Sequence, residues 1–379
     1  MKKIYLDYSA STPIDPRVLK AMLPYLKEHF GNPSSIHRFG QIARRAIDEA
    51  RNSVMKSIGA FSPHELVFTG SGTESCNMAI FGAAFAAPRN KKHLVIAAIE
   101  HPAVLESARY LRDNFGFELT EVKPDREGII HPEAIAAALR PDTILVSVMT
   151  VNNELGTLQP IQEIAKLCRA HKILFHTDAC QAPGFADINV ESLDVDMMSL
   201  NGSKIYGPKG IGLLYIREGV KITPLIHGGG QEFRLRGGTE NPALIVGFAK
   251  ALALTLKNAK KETARLARLQ GELLKELLKI PGITLNGSLE NRAANNINIH
   301  VPGHSGETLV MRLDMEGLAA SSGSACSSGK TEPSPVLLAL GQTQKQASES
   351  LRLTLGRFTT EADIKAAKKI LKSIVSSDG

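Results

Sequence analysis

From about residue 63 to 217 the chain alternates short apolar runs with helical patterns, and this alternation restricts the fold more than any other feature. ELVFTG (65–70) precedes TESCNMAIFGAAFAA, and HLVIAA (93–98) precedes PAVLESARYLRDNF. TILVSVM (143–149) is followed after a loop by IQEIAKLCRAH, and ILFHTDA, VDMMSL and GLLYIR complete the series. Strands that alternate with helices in this way imply a mostly parallel sheet covered on both faces. The expectation is one large α/β domain.

After Asn241 the pattern changes to a long helical stretch over about 242–280, broken at IPG. Strand-like NNINIHV, a helix from about Glu307, a Ser/Gly loop, SLRLTLG and a last helix from Thr360 follow, which reads as a smaller α+β domain. The 379 residues, 43% of them hydrophobic, suffice for two packed domains. Residues 15–255 are assigned to the large one, and 1–14 with 256–379 to the small one, including a loop at about 321–333.

The net charge of +7 is spread along the chain and interleaved with acids. The densest basic stretch, Lys257 to Lys279, carries Glu262, Glu272 and Glu276 at helical spacing and reads as a solvated helix face. With 5% aromatics and no Trp there is no stacking platform for bases, so no direct nucleic-acid contact is expected. Asp7 interrupts the first apolar run, and no uninterrupted apolar stretch of membrane-spanning length is seen, so the expected location is the cytoplasm, with no membrane contact. Cys76, Cys168, Cys180 and Cys326 show no CxxC pairing, against a zinc site or a disulfide framework.

In open parallel sheets ligands sit beyond the carboxyl ends of the strands, so polar residues just past each apolar run matter most. TGSGTES (69–75) opens a helix where backbone N–H groups and the Thr73 hydroxyl can hold a phosphate, or simply form a capped turn. His101 follows one strand and Asn152 and Asn153 another, as ligand contacts or as turn residues. Asp178 ends an apolar strand, where a carboxylate is costly to bury without a cation. A protonated pyridine nitrogen is such a cation, and a structural ion pair is the other reading. Lys204 follows the next strand, as a Schiff-base amine or as solvated surface. In SSGSACSSGK (321–330) a thiol among small residues is an incidental exposed cysteine or a mobile nucleophile. A phosphate cradle, a pyridinium carboxylate and an imine lysine in this chain order together describe a pyridoxal phosphate site.

YLDYSASTPIDPRV, FGNPSSIHRFG, EHPAVL, NNELGT, HTDACQ, KIYGPKGIG, SSGSAC and LRLTLGRFTTEADI, in this order over essentially the whole chain, resemble a cysteine desulfurase of the NifS/IscS type. These belong to the class V aminotransferases, among the fold-type I pyridoxal phosphate enzymes. The resemblance implies a mostly parallel seven-stranded sheet in the large domain. It also implies that Lys204 carries pyridoxal 5'-phosphate as a Schiff base, Asp178 pairs with the pyridine nitrogen, Gln181 bonds the phenolic oxygen and His101 stacks on the ring and relays protons. Gly72 and Thr73 would bind phosphate, with Thr239 supplied by the second subunit of a homodimer. Asn153 and Arg352 would hold the carboxylate of L-cysteine, and Cys326 would take its sulfur as a persulfide, releasing alanine. An acceptor or scaffold protein would then receive the sulfur, for iron–sulfur clusters or tRNA thiolation. A selenocysteine lyase uses the same site chemistry, and a cofactor-poor scaffold that binds a partner is the reading from a different class.

Two places depart from the family pattern. The family reads Ser-Gly-His-Lys before the imine lysine, whereas here Asn201, Gly202 and Ser203 precede Lys204. Asn201 and Ser203 still donate hydrogen bonds, but the loss of an imidazole predicts weaker cofactor retention. Cys76 stands where an acidic residue is common, and reads as a helix-face substitution rather than a second reactive thiol.

Overall fold

The computed structural model describes residues 3–322 and 333–376. Its strands in chain order are β1 (Ile4–Tyr5), β2 (Leu66–Thr69), β3 (His93–Ala97), β4 (Glu118–Val122), β5 (Thr143–Ser147), β6 (Leu174–Asp178), β7 (Met197–Asn201), β8 (Gly212–Ile216), β9 (Thr284–Leu285), β10 (Asn296–His300), β11 (Leu318–Ala319) and β12 (Ser350–Thr354). Seven of them form one sheet in the order β2-β8-β7-β6-β5-β3-β4. Only β8 runs against its neighbours in this sheet.

Alternate side chains of the buried strands feed two cores, one on each face. In β3, Leu94 and Ile96 belong to the core that holds Ile80, Leu105 and Leu111, while Val95 and Ala97 belong to the core that holds Ile164 and Phe248. This two-sided burial is why the strands read as apolar runs without polar alternation. The edge strand β4, of sequence ELTEV, is only partly buried and is the one strand of the sheet absent from the apolar series.

Strands β2 and β3 each hand over to a helix through a capping residue at the same edge of the sheet. Ser71 caps the helix Gly72–Ala86, accepting from the N–H of Glu74. His101 caps Pro102–Phe115, where proline at the first helical position needs no N–H partner. The strand order reverses at β3 and β5, the place where open α/β sheets bind ligands.

A third core joins Leu266, Leu269 and Leu273 with Ile297, Ile299, Leu351, Leu353, Ile364 and Leu371. It lies on the antiparallel sheet β12-β10-β9, where Asn298 stands opposite Arg352. The 36-residue helix Pro242–Leu277 links the cores: Ile245, Phe248 and Leu252 pack on the large sheet, Leu266 to Leu277 on the small one. The expected boundary after residue 255 falls inside this helix. It is also the one element among the described residues that is long and apolar enough to cross a membrane, but its apolar side chains fill these cores.

Candidate active site

Asp178 closes β6 and is buried, 5% exposed. One carboxylate oxygen accepts from the Cys180 N–H at 2.9 Å. Among the described residues no ion pair to Asp178 is seen, which leaves a buried carboxylate able to take a cation. Cys76 and Cys180 lie against it, and burial followed by the Asp178 charge raises both thiol pKa values. Cys76 is 1% exposed, so its thiol stays protonated and shielded, in agreement with the helix-face reading.

His101 lies within electrostatic reach of both Asp178 and Lys204. Burial, the larger effect, lowers its pKa, so the ring is neutral near pH 7. Its Nδ1 accepts from the Ala103 N–H at 3.0 Å, which places the ring proton on Nε2. The neutral ring therefore offers a donor at Nε2.

Lys204 ends the short 3-10 turn Gly202–Lys204 beyond β7. Its Nζ donates to the carbonyls of Ser9 at 2.8 Å and Ala10 at 2.6 Å. The Gln181 amide donates to the same Ser9 carbonyl at 2.9 Å. Two residues on, Tyr206 has φ 64, a left-handed conformation unusual for a bulky residue, and its N–H is held by Thr12 Oγ1 at 2.8 Å.

The anion cradle is assembled from two strand ends. In the helix Gly72–Ala86 Ser71 takes the N–H groups of Glu74 and Ser75, while those of Gly72 and Thr73 have no partner within the helix. A Cβ on Gly72 would lie 2.7 Å from Cys180 Sγ and 3.3 Å from Asn201 Nδ2, so only glycine allows this approach. Asn201 Oδ1 accepts from both the N–H and the hydroxyl of Ser203, each at 3.1 Å. That orients the amide with Nδ2 toward Gly72. Thr239 is exposed and lines a separate cleft of about 140 Å³ beside Gly70 and Arg236.

Arg352 lies on β12, its side chain 2% exposed. One amino group donates to the Asn153 carbonyl at 3.1 Å and the other to Asp7 Oδ1 at 2.8 Å. Its Nε is buried and has no hydrogen-bond partner among the described residues. Asn152 is a turn residue, since its Oδ1 accepts from the N–H groups of Glu154 and Leu155. Cys326 lies outside the described residues.

The sequence reading missed Asp7, Ser9, Ala10, Glu154 and Ser334. Asp7 and Ser9 belong to YLDYSAST, but backbone carbonyls leave no signature of their own. The donor set fits pyridoxal phosphate: N–H groups and an amide for phosphate, a buried carboxylate with no ion pair among the described residues for a pyridinium, and an amine within electrostatic reach of the same imidazole as that carboxylate.

The class V aminotransferase model matches residues 4–367. The chain is 48% identical over 375 residues to the cysteine desulfurase IscS of Dictyoglomus turgidum, covering 99% of this chain and 95% of that one. A solved NifS-like protein superimposes with a TM-score of 0.93 at 34% identity, covering 99% of each chain. A structure described as SspA in complex with cysteine gives a TM-score of 0.83 at 37% identity, covering 94% of this chain and all of that one. With its strand-end lysine, carboxylate and imidazole on this sheet, the chain belongs to the class V aminotransferase family.

Proposed function

We propose that this protein is a pyridoxal phosphate-dependent cysteine desulfurase that converts L-cysteine to L-alanine and leaves the sulfur as a persulfide on Cys326. The observation that carries the reading is the buried Asp178 carboxylate, with no ion-pair partner among the described residues, next to His101 and Lys204. A partner-binding scaffold would leave that charge buried for no purpose.

Gly72, Thr73 and Asn201 would hold the phosphate, Asp178 the pyridine nitrogen, Gln181 the phenolic oxygen and Lys204 the carbonyl carbon. When bound, the cofactor supplies the electron sink for cleavage at the substrate carbon atoms. Arg352 Nε and Asn153 receive the substrate carboxylate. Lys204 Nζ, drawn away from the Ser9 and Ala10 carbonyls, moves the proton on the substrate Cα. The Cys326 thiolate attacks the substrate sulfur, so that an S–S bond forms, the C–S bond breaks and its electron pair stays on carbon. A proton then completes alanine, and no external oxidant is required. The neutral His101 ring, with its proton on Nε2, serves as a donor over the site. Its use as a base at Nε2 requires giving up the Ala103 bond.

The protein works as a cytoplasmic homodimer in which Thr239 reaches the phosphate of the other subunit, and the persulfide passes to an acceptor protein. The exposure of Thr239 supports the first part, and the unpaired state of Cys76, Cys168 and Cys180 suits a reducing compartment. The test is purification with pyridoxal phosphate, loss of visible absorbance on borohydride treatment, and an assay of sulfide and alanine from cysteine beside Cys326→Ser. A protein that takes up no cofactor, or alanine release that survives Cys326→Ser, refutes the reading.

A further inference from the structure

Glu154 adjoins Asn153, yet none of the roles above uses it. It is buried, and its backbone is fixed from three sides. Its N–H donates to Asn152 Oδ1 at 2.9 Å, and its carbonyl accepts from the amides of Asn296 and Asn298 at 3.1 Å each. Both asparagines lie on β10, where Asn298 stands opposite Arg352.

The side chain leaves this turn toward a different part of the chain. Its Oε2 accepts from the Ser334 hydroxyl at 2.5 Å, and Ser334 Oγ also caps the helix Pro335–Ala339 through the Leu337 N–H at 3.2 Å. Across from it, Ser321 exchanges two backbone hydrogen bonds with Arg352, at 2.7 and 3.1 Å. Ser321 and Ser334 bracket the segment 323–332 that contains Cys326. Both of its described stems therefore end on the groups assigned to the substrate carboxylate: one on the backbone of Arg352, the other through Glu154 on the Asn153 turn. A carboxyl is a costly choice for holding a turn in this setting, because burial pushes Glu154 up to about 7, against the pull of Arg352 and the Ser334 hydroxyl.

We infer that the Glu154–Ser334 hydrogen bond ties the stem at Ser334 to the turn that carries Asn153, making Glu154 a positioning residue for sulfur abstraction that does not itself touch substrate. This rests on the desulfurase reading. Binding of cysteine to the cofactor does not need the Cys326 thiol, whereas persulfide formation needs that thiol placed to within a fraction of an ångström.

The test uses the holoenzyme with L-cysteine and two readouts: the spectral change on cysteine binding, and the rate of persulfide formation on Cys326 followed by mass spectrometry. Glu154→Ala and Ser334→Ala are expected to bind cysteine within about twofold of wild type and to form persulfide about tenfold more slowly. Glu154→Gln keeps an amide oxygen for the Ser334 hydroxyl and should recover to within about threefold. The double variant Glu154→Ala/Ser334→Ala should be no slower than either single one. Unchanged persulfide rates, additive losses, or cysteine binding that weakens in step with the rate would each overturn the inference. Glu154→Gln and Ser334→Ala keep nearly all the buried volume, so the comparison stands even where Glu154→Ala does not fold. Wild type that binds cysteine but never forms persulfide would refute the desulfurase reading itself.

Discussion

Replacing Asn201 with Ala should weaken the grip on pyridoxal phosphate, and the structure sets the size of the effect. Asn201 Oδ1 is committed to the N–H and hydroxyl of Ser203, so its Nδ2 faces the open first turn of the helix Gly72–Ala86. One hydrogen bond to a phosphate dianion is worth about 1.5 to 3 kcal/mol, or roughly tenfold to a hundredfold in affinity. Ser203→Ala leaves the amide in place but removes one of the bonds that orient it, a loss of about 1 kcal/mol or roughly fivefold. Ser203→His should tighten binding by supplying a ring N–H toward the same anion. Asn201→Asp should be worse than Asn201→Ala, because a carboxylate would face the phosphate.

The assay needs the phosphate grip isolated from the covalent bond. In a Lys204→Ala background that bond is absent, and equilibrium dialysis of pyridoxal phosphate reads the remaining contacts alone. The expected order from tightest to weakest is Ser203→His, the background protein, Ser203→Ala, Asn201→Ala, Asn201→Asp. If Asn201→Ala and Asn201→Asp both stay within about twofold of the background, Asn201 is not a phosphate ligand. An unchanged affinity for Ser203→His would remove the argument that this chain binds its cofactor less tightly for want of an imidazole.

Three further outcomes are expected. Arg51 and Glu232 form a buried pair at 2.6 Å, their side chains 5% and 2% exposed, and Glu232 begins a run of three left-handed residues with φ 43, 57 and 67. Glu232→Ala strands the guanidinium and should cost about 3 to 5 kcal/mol in urea unfolding of the apoprotein, a reading contradicted by a loss below about 1 kcal/mol. Glu154, held at about 7 rather than its ordinary 4.5, binds a proton in the folded state that the unfolded chain has released. Its contribution therefore falls as pH rises from about 4.5 to about 7, by about 3 kcal/mol in all, with Arg352 the charged group that limits the effect. Glu154→Gln should flatten that part of the stability profile, and an unaltered profile would show that the carboxyl titrates normally. Arg352→Lys replaces a fork by a point charge and cannot keep the Asn153 and Asp7 contacts together with a substrate carboxylate. KM for cysteine should rise about tenfold or more, and an unchanged KM would place the carboxylate elsewhere.

Six of the seven strands of the large sheet are visible in the sequence because they are buried on both faces. Strand β4 is not, because three of its five residues are polar and its edge position leaves them wet. The reversed direction of β8 was equally hidden, since burial does not depend on direction. At the site, Asp178, His101 and Lys204 stood out because a charged or titratable residue at the end of an apolar run is conspicuous. Glu154 follows a strand too, but beside Asn152 and Asn153 its carboxyl carries no local signal of its own. Its partner Ser334 lies 180 residues away, beyond the reach of local pattern.

The N-terminal segment shows most clearly what local pattern cannot carry. Ile4 pairs with Leu318, the Thr354 N–H donates to the Leu6 carbonyl, and the Ser9 N–H is held by Thr354 Oγ1. Asp7 binds Arg352, the Ser9 and Ala10 carbonyls take Lys204, and Thr12 Oγ1 donates to the Ser203 carbonyl at 2.9 Å. A stretch of nine residues thus spans from the small antiparallel sheet to the lysine turn of the large one. Because consecutive Cα atoms are fixed at about 3.8 Å, the distance between the arginine assigned to the substrate carboxylate and the amine assigned to its Cα proton is limited by this segment. Most of these contacts run through backbone atoms, so they depend on the path of the chain more than on its side chains. A change that shifts the path, such as a residue inserted between Asp7 and Ser9, should disturb substrate and cofactor binding together, while a side-chain change at Tyr8 alone should not displace the flanking carbonyls.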